Sequence, residues 1–338
     1  MGIRNNCATM GEGLGLTRIL EWAPRRGCLI VLNYHRIGSS KGQPYDGGVF
    51  SATGDEFDSQ VRFLKQRYSI VTLEEAVDLV AGKKPFRGVA ILLTFDDGYL
   101  DNFQIAYPIL RSYGVQGTFF LISSFVGSNE LLWWDRIAYS VKHARNRVIT
   151  LDYPRHTQLD LDQQQQEDVI HALLAQYKRL PNRADALRFL ACVEQACQAR
   201  PRVADERLFL NWNEAADMHA NGMAIGCHTH THPILGQLTT EEQYEELRTV
   251  KEAIQTRLSI PADALAYPVG KKGTFTSQTE EVLQQLGYRA AFSYYGGINR
   301  PGTTRPFDIC RNSVDAGLPL SRLRLQLALA SVTGSQWF

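Results

Sequence analysis

Short, uninterrupted apolar runs recur along the chain and predict strands that are buried on both faces. The clearest is residues 89–94, where Val-Ala-Ile-Leu-Leu-Thr contains no charged side chain. Similar runs occur at 28–35 and 116–123, and shorter ones cover 223–227, 265–270 and 307–311. Strands without alternation of polar and apolar residues are typical of parallel sheets and barrels, because helices cover both of their faces.

Segments with helical period separate these runs. Residues 55–68, 72–80, 101–113, 214–220, 239–258 and 318–330 read as helices, and those at 72 and 239 begin with a Thr-x-x-Glu capping box. Strand 89–94, helix 101–113 and strand 116–123 form a strand–helix–strand unit, which predicts parallel pairing.

Residues 127–207 interrupt this alternation. Amphipathic helices are predicted at 167–180 and 184–199, so we interpret 127–207 as a helical insertion in a single barrel domain that spans 1–338. The adjacent Trp133 and Trp134 begin the insertion, and they either form a platform for sugar rings or anchor the insertion to the barrel. Trp212 is a further candidate for the wall of the cleft.

Composition narrows the function classes. With 338 residues, 44% of them hydrophobic, and a formal net charge of +1, the chain can bury a large core and lacks the basic character of a general nucleic-acid binder. We find neither a signal peptide nor an apolar run of about 18 residues, which predicts a cytoplasmic protein without a transmembrane segment. The basic amphipathic residues 14–26 fit packing against the barrel or, less well, peripheral contact with an anionic membrane.

Polar groups suited to a metal site follow two of the predicted strands. Asp96 and Asp97 come directly after strand 89–94, and His228, His230 and His232 follow strand 223–227. Catalytic groups of parallel-strand folds collect at the carboxyl ends of strands, although Asp-Asp-Gly is also a good turn sequence. Two imidazoles and one carboxylate would bind a divalent metal and leave positions open for water and substrate.

The same residues resemble a known family. Residues 94–98 (TFDDG) and 228–233 (HTHTHP) are similar to the first two signature motifs of the polysaccharide deacetylases, carbohydrate esterase family 4. The resemblance implies a distorted, incomplete (β/α) barrel, a divalent metal (most often Zn²⁺, with Co²⁺ or Ni²⁺ as alternatives), and removal of an N-acetyl group from an amino sugar. It implies that Asp97, His228 and His232 bind the metal, that Asp96 is the general base and that His230 is not a ligand.

The first strand resembles a subset of the family. Most members place an acid histidine late in the chain, but this chain has no histidine after His232. The poly-N-acetylglucosamine deacetylases instead begin with a strand that ends in Tyr-His, which Tyr34 and His35 match. The resemblance therefore implies that His35 is the general acid, and we assign Tyr34 to substrate binding.

A third motif matches only in part. Residues 265–270 (LAYPVG) stand where the family has Arg-x-Pro-Tyr, so the resemblance implies that the backbone N–H of Val269 binds the oxyanion, and we assign Tyr267 to substrate binding. Ala266 replaces the expected arginine. We name Arg311, at the end of strand 307–311, as the candidate that holds Asp96 instead.

Three functions remain open from the sequence. The first is de-N-acetylation of a glycan, and the resemblance implies that an N-acetylated glycan is the substrate. The second is hydrolysis of another amide on the same barrel, such as deformylation of a lipid-linked amino sugar. The third is a non-catalytic barrel that binds carbohydrate and has kept its metal.

Overall fold

Seven parallel strands close into a barrel, which confirms the predicted fold class. The structure is a computed structural model, and it describes residues 27–83, 87–200, 202 and 207–333. The strands are β1 (Cys28–Tyr34), β2 (Arg36–Ile37), β3 (Phe50–Ala52), β4 (Ser69–Ile70), β5 (Val89–Phe95), β6 (Thr118–Leu121), β7 (Val148–Leu151), β8 (Thr157–Asp160), β9 (Ala224–Cys227), β10 (Ala264–Ala266), β11 (Ala290–Ser293) and β12 (Ile309–Ser313). Around the ring the order is β1, β12, β11, β10, β9, β6 and β5, and β5 pairs back onto β1. A complete (β/α)₈ barrel has eight strands, so this ring is one strand short.

The two faces of each strand have different partners. In β1, Leu29 and Val31 share an apolar cluster with side chains of β5, β6, β10, β11 and β12, and this cluster fills the barrel interior. Ile30 and Leu32 belong to the larger cluster between the strands and the surrounding helices. β1 and β5 are in register along their whole length, with Cys28 opposite Val89 and Tyr34 opposite Phe95.

Apart from the one at 101–113, the predicted helices occur with shifts of up to three residues at their ends. The helices are α1 (Gly54–Arg67), α2 (Leu73–Val80), α3 (Tyr107–Ser112), α4 (Trp133–Lys142), α5 (Gln166–Lys178), α6 (Arg183–Cys197), α7 (Trp212–Ala220), α8 (Thr240–Leu258), α9 (Ser277–Gln285) and α10 (Leu320–Thr333). Both predicted capping boxes are present, at Thr72 and at Thr239.

The helix predicted at 101–113 is not a continuous α-helix. A π-helix over Asn102–Ala106 precedes α3. Pro108 has no N–H to donate to the preceding turn, which interrupts the ladder of helical hydrogen bonds. The Asn102 side chain donates to the carbonyl of His35 over 2.7 Å, so the irregular turn supports the end of β1.

Residues of the predicted insertion pack around an apolar cluster that also includes Tyr45, Tyr99 and Ile122. This cluster joins α4, α5 and α6 to the antiparallel hairpin β7–β8, which the sequence pattern did not indicate. The division into one barrel domain and an insertion stays a prediction. Among the residues that the structure describes, no helix is long and apolar enough to cross a membrane, and segment 14–26 lies outside them.

Candidate active site

The three predicted metal ligands converge at the carboxyl ends of β5 and β9. Asp97 Oδ1 lies 3.4 Å from His228 Nε2 and 3.7 Å from His232 Nε2, and the three ligand atoms all lie within 4.8 Å of one another. All three side chains are buried. Asp97 Oδ2 is buried and has no hydrogen-bond partner among the described residues, an arrangement that is costly without a nearby cation. These residues therefore form a possible divalent-metal site, and their donor set fits such an ion.

Unusual backbone conformations present these ligands. Asp97, Thr229 and His232 have φ values of 74°, 66° and 59°, in the left-handed region that non-glycine residues seldom occupy. The Thr229 hydroxyl accepts a hydrogen bond of 3.0 Å from the N–H of His232 and stabilises the turn between the two histidines. Left-handed residues of this kind concentrate at functional sites, where surrounding contacts maintain the strain.

The two histidine ligands have different electrostatic surroundings. His228 Nδ1 donates to the carbonyl of Ala266 over 2.7 Å, which leaves the Nε2 lone pair toward Asp97. Burial lowers the pKa of His228, but Asp96 and Asp97 outweigh burial and raise that pKa above its ordinary value. Burial and the neighbouring His228 lower the pKa of His232 to about 3, so this imidazole is neutral at ordinary pH, as a metal ligand must be.

His230 lies apart from the other two histidines. Its Nδ1 is 2.9 Å from the Ser123 hydroxyl, and its backbone N–H donates to Glu246 over 2.9 Å. It is not part of the cluster that could hold a metal. This placement agrees with the non-ligand role that the resemblance implies.

Asp96 lies beside the metal cluster in a fully buried polar network. Its Oδ1 accepts from Arg311 Nη1 over 2.7 Å, and its Oδ2 accepts from Asn33 Nδ2 over 3.1 Å. Arg311 also donates to Asn33 Oδ1 and to the carbonyl of Ser293. Burial raises the pKa of Asp96, but Arg311 and His228 outweigh burial and hold this pKa well below its usual range.

Arg311 therefore lies where the missing motif arginine was expected to act. Ala266 is buried inside the barrel on β10. Arg311 reaches Asp96 from β12, which lies two strands from β10 around the ring. Its side chain is 1% exposed, so Arg311 is not a surface arginine. The catalytic role of Arg311 stays a prediction.

His35 faces the same carboxylate from the end of β1. Its Nε2 lies 4.0 Å from Asp96 Oδ2, and 23% of its side chain is exposed. The backbone N–H of His35 donates to the Ser51 hydroxyl over 3.0 Å. The ring meets Tyr294 edge-on with 5.7 Å between centroids. The imidazole is therefore held at the cavity surface, where it can reach a bound molecule.

Val269 occupies a tight γ-turn. Its φ is 61°, and the N–H of Gly270 donates to the carbonyl of Pro268 across it over 2.6 Å. Such a turn is rare, and a β-branched residue at its centre is strained. In the part of the chain that the structure describes, the N–H of Val269 has no backbone partner, and Val269 lines the cavity.

A cavity of about 430 Å³ contains the predicted metal ligands, Asp96 and His35. Trp133, Trp134 and Tyr267 also line it. Trp133 stacks on Tyr177 of α5 with 4.1 Å between centroids, a contact between two helices of the predicted insertion. The hydroxyl of Tyr267 donates to the carbonyl of Phe307 over 2.9 Å. Contact of these side chains with substrate stays a prediction.

Two assignments to the substrate site must be corrected. Tyr34 is fully buried on the outer face of β1, where its hydroxyl donates to Gln60 of α1 over 3.0 Å. Side chains alternate along a strand, so Tyr34 and His35 point to opposite faces. Trp212 is the first residue of α7 and packs against the apolar cluster outside the barrel rather than at the cavity.

Sequence reasoning missed other residues of the site. Asn33 was visible as the one amide in an apolar strand, and such a residue needs buried partners. Tyr294, Lys178 and Lys271 also line the cavity, but no motif marked them. They come from a strand end, a helix and a loop that are distant in the chain.

The fold and site together define a (β/α) barrel with a possible metal centre at the carboxyl ends of its strands. A sequence model of the family "Polysaccharide deacetylase" matches residues 83–291. The chain belongs to this family.

Individual relatives agree with this assignment. YxkH of Bacillus subtilis, named as a polysaccharide deacetylase, is 33% identical over 142 residues, which cover 41% of this chain and 48% of YxkH. The poly-β-1,6-N-acetyl-D-glucosamine N-deacetylase of Staphylococcus epidermidis is 33% identical over 112 residues, 29% of this chain and 37% of that protein. The chain thus matches less than half the length of either relative. The solved structure of IcaB from Ammonifex degensii superposes with a TM-score of 0.57 at 20% identity, covering 89% of this chain and 97% of that one, and shows the same fold.

Proposed function

We propose that this protein is a metal-dependent hydrolase that removes an N-acetyl group from an amino sugar in a polysaccharide, oligosaccharide or lipid-linked glycan. The observation that carries the proposal is the convergence of Asp97, His228 and His232 beside the ion-paired Asp96 in one cavity. Membership of the polysaccharide deacetylase family and the similarity to two named deacetylases support the same substrate class.

Asp97, His228 and His232 would hold the ion, and we propose Zn²⁺, which these oxygen and nitrogen donors suit. When bound, a divalent ion polarises the acetyl carbonyl and makes a neighbouring water more acidic. Co²⁺ and Ni²⁺ also accept this ligand set.

Asp96 is the proposed general base. Arg311 keeps its carboxylate ionised, so one oxygen can accept a proton as water attacks the acetyl carbon. Asn33 and Arg311 fix the plane of the carboxylate, which orients it before substrate binds. Because the Asp96 carboxylate is ionised throughout the neutral pH range, it does not have to lose a proton before it acts as a base.

Val269 and His35 complete the proposed reaction. The N–H of Val269 would donate to the oxygen that gains negative charge, and one such donor is worth about 3 kcal/mol in other hydrolases. His35, in its protonated form, would then give its Nε2 proton to the departing nitrogen as the carbon–nitrogen bond breaks. Water and amide become acetate and a free amine, and without this proton the amine would leave as an unstable anion.

Metal analysis and an acetate-release assay on short N-acetylglucosamine oligomers test the proposal. Purified protein should contain about one divalent ion per chain and release acetate, and chelation should abolish the release. Asp96→Asn should keep the ion and lose most of the rate, by about 10²- to 10⁴-fold. Near-wild-type turnover in this variant would remove Asp96 from the mechanism.

The products also separate the other two functions. Release of formate or another acid in place of acetate would favour a different amide substrate. Glycan binding without any product would favour a carbohydrate-binding barrel. The cytoplasmic location stays a prediction.

A further inference from the structure

The two histidines of the proposed metal site are held in different ways. His228 donates its Nδ1 proton to the carbonyl of Ala266, the usual arrangement for a histidine that binds a metal through Nε2. His232 Nδ1 is buried and has no hydrogen-bond partner within the described ranges. Its backbone φ of 59° is left-handed, so the local chain conformation is strained as well. Something other than a hydrogen bond must therefore fix the orientation of this ring.

Trp134 packs directly against the ring of His232. The ring centroids are 4.6 Å apart and the planes meet at 71°, an edge-to-face contact. His228 packs against His232 in a similar way, at 4.7 Å and 75°. Edge-to-face packing of aromatic rings is favourable and directional. The His232 ring is thus held between one fixed imidazole and one indole.

The indole is fixed in turn by a buried hydrogen-bond chain. Trp134 Nε1 donates to the Tyr99 hydroxyl over 2.8 Å, and that hydroxyl donates to Asp135 Oδ2 over 2.8 Å. The other oxygen of Asp135 accepts from the N–H of Asp46 over 3.0 Å. Tyr99 and Asp135 are both fully buried. These hydrogen bonds therefore join α4 to the loop after β5 that carries Asp97.

The Tyr99 ring has supports of its own. It stacks on Phe209 with 5.0 Å between centroids, and the Arg36 guanidinium lies 4.8 Å from the ring centroid on a face. These contacts involve the ring and not the hydroxyl. Removal of the hydroxyl alone should leave the ring in place and break only its two hydrogen bonds.

We propose that Trp134 is a positioning residue for His232, and that Tyr99 and Asp135 orient Trp134 for this role. The packing of the indole replaces the hydrogen bond that His232 lacks. The inference rests on the proposed metal site, because positioning of His232 matters only if this imidazole binds an ion. Residues that orient a metal ligand without binding the metal usually contribute about 10- to 100-fold in metal affinity.

The test is the Zn²⁺ affinity of the full-length, metal-free protein, measured by competition with a chromogenic chelator. Tyr99→Phe removes the hydroxyl and should weaken Zn²⁺ binding by about 10-fold or more. Trp134→Phe keeps an aromatic ring but lacks the N–H, and it should show a similar loss. Visible absorption of the Co²⁺-loaded protein should change in both variants, because the position of His232 has changed.

Tyr113→Phe is the matched control. The Tyr113 hydroxyl also donates to an aspartate, Asp58, over 2.9 Å, but it lies outside the cavity. Its removal should leave Zn²⁺ affinity and the Co²⁺ spectrum unchanged. If either Tyr99→Phe or Trp134→Phe folds and binds Zn²⁺ as tightly as wild type does, the positioning role is refuted. A wild-type protein that binds no Zn²⁺ would instead refute the proposed metal site itself.

Discussion

Replacement of Arg311 by methionine tests the electrostatics of the proposed base. Methionine has an unbranched stem like that of arginine but no guanidinium, so Asp96 keeps only the Asn33 side chain as a hydrogen-bond partner. At 2.7 Å and an effective dielectric constant of about 20, the attraction between Arg311 and Asp96 is roughly 6 kcal/mol before desolvation. Removal of one partner from a buried pair costs about 3 to 5 kcal/mol of net stability, and we expect a loss of this size.

The same substitution should change two pH dependences. Without Arg311, the burial that raises the pKa of Asp96 is opposed only by His228, His35 and the Asn33 hydrogen bond, so this pKa should rise and the acid limb of kcat/KM should move to higher pH by at least about one unit. The depressed pKa in wild type means that Asp96 stabilises the fold above its unfolded pKa of about 3.9, and this stabilisation is lost as the pH falls through the lower, folded pKa. The stability gap between variant and wild type should therefore be widest at neutral pH and narrower at pH 4.

The assays are urea unfolding at several pH values and kcat/KM profiles at saturating Zn²⁺. Arg289→Met is the control, because Arg289 contacts Glu74 and Asp263 at an exposed position. It should cost no more than about 1 kcal/mol and leave the rate profile in place. If Arg311→Met leaves both the acid limb and the free energy of unfolding where wild type has them, Arg311 does not keep Asp96 ionised.

Three further outcomes are expected. His35→Ala should lower kcat by about 100-fold or more while Zn²⁺ affinity is unchanged, and unchanged turnover would exclude it as the acid. Gly270→Ala should destabilise the fold by at least about 2 kcal/mol in urea unfolding, because φ is +59° and the added Cβ would lie 2.8 Å from the backbone N of Tyr294; wild-type stability would contradict this. Burial raises the pKa of Asp135 to about 7, so wild type loses stability as the pH rises from about 4 to 7, where the unfolded carboxyl is ionised and the folded one is protonated; Asp135→Asn lacks this dependence, so the stability difference should shift toward the variant by up to about 4 kcal/mol between pH 4 and 8, and parallel stability curves would disprove it.

The barrel and the candidate metal ligands could be predicted because each depends on local sequence. A buried parallel strand is a short apolar run, and Asp97 and His232 follow two such runs closely. The fold then brings the strand ends together without further information. The exclusion of His230 was not available from spacing, because the left-handed turn at Thr229 decides which rings face Asp97.

The rest of the site depends on strand order and side-chain direction. Arg311 reaches Asp96 because β12 is next to β1 in the ring, a neighbour relation that no local pattern encodes. Tyr34 was placed at the cavity because a motif names residue types but not the face on which each lies. The hydrogen bonds from Trp134 to Tyr99 and from Tyr99 to Asp135 join the insertion to the barrel. Such contacts between distant segments become visible only when both parts have been placed.

The full register between β1 and β5 limits which insertions in β1 the proposed active site can tolerate. His35 and Asp96 extend the register by one more pair, so the proposed acid faces the proposed base only while β1 keeps its length. One extra residue in the middle of β1 would turn the imidazole into the helical layer and present the phenol to the carboxylate. Two extra residues would restore the face but carry His35 about 7 Å past Asp96, so the length of β1 can change only together with that of β5.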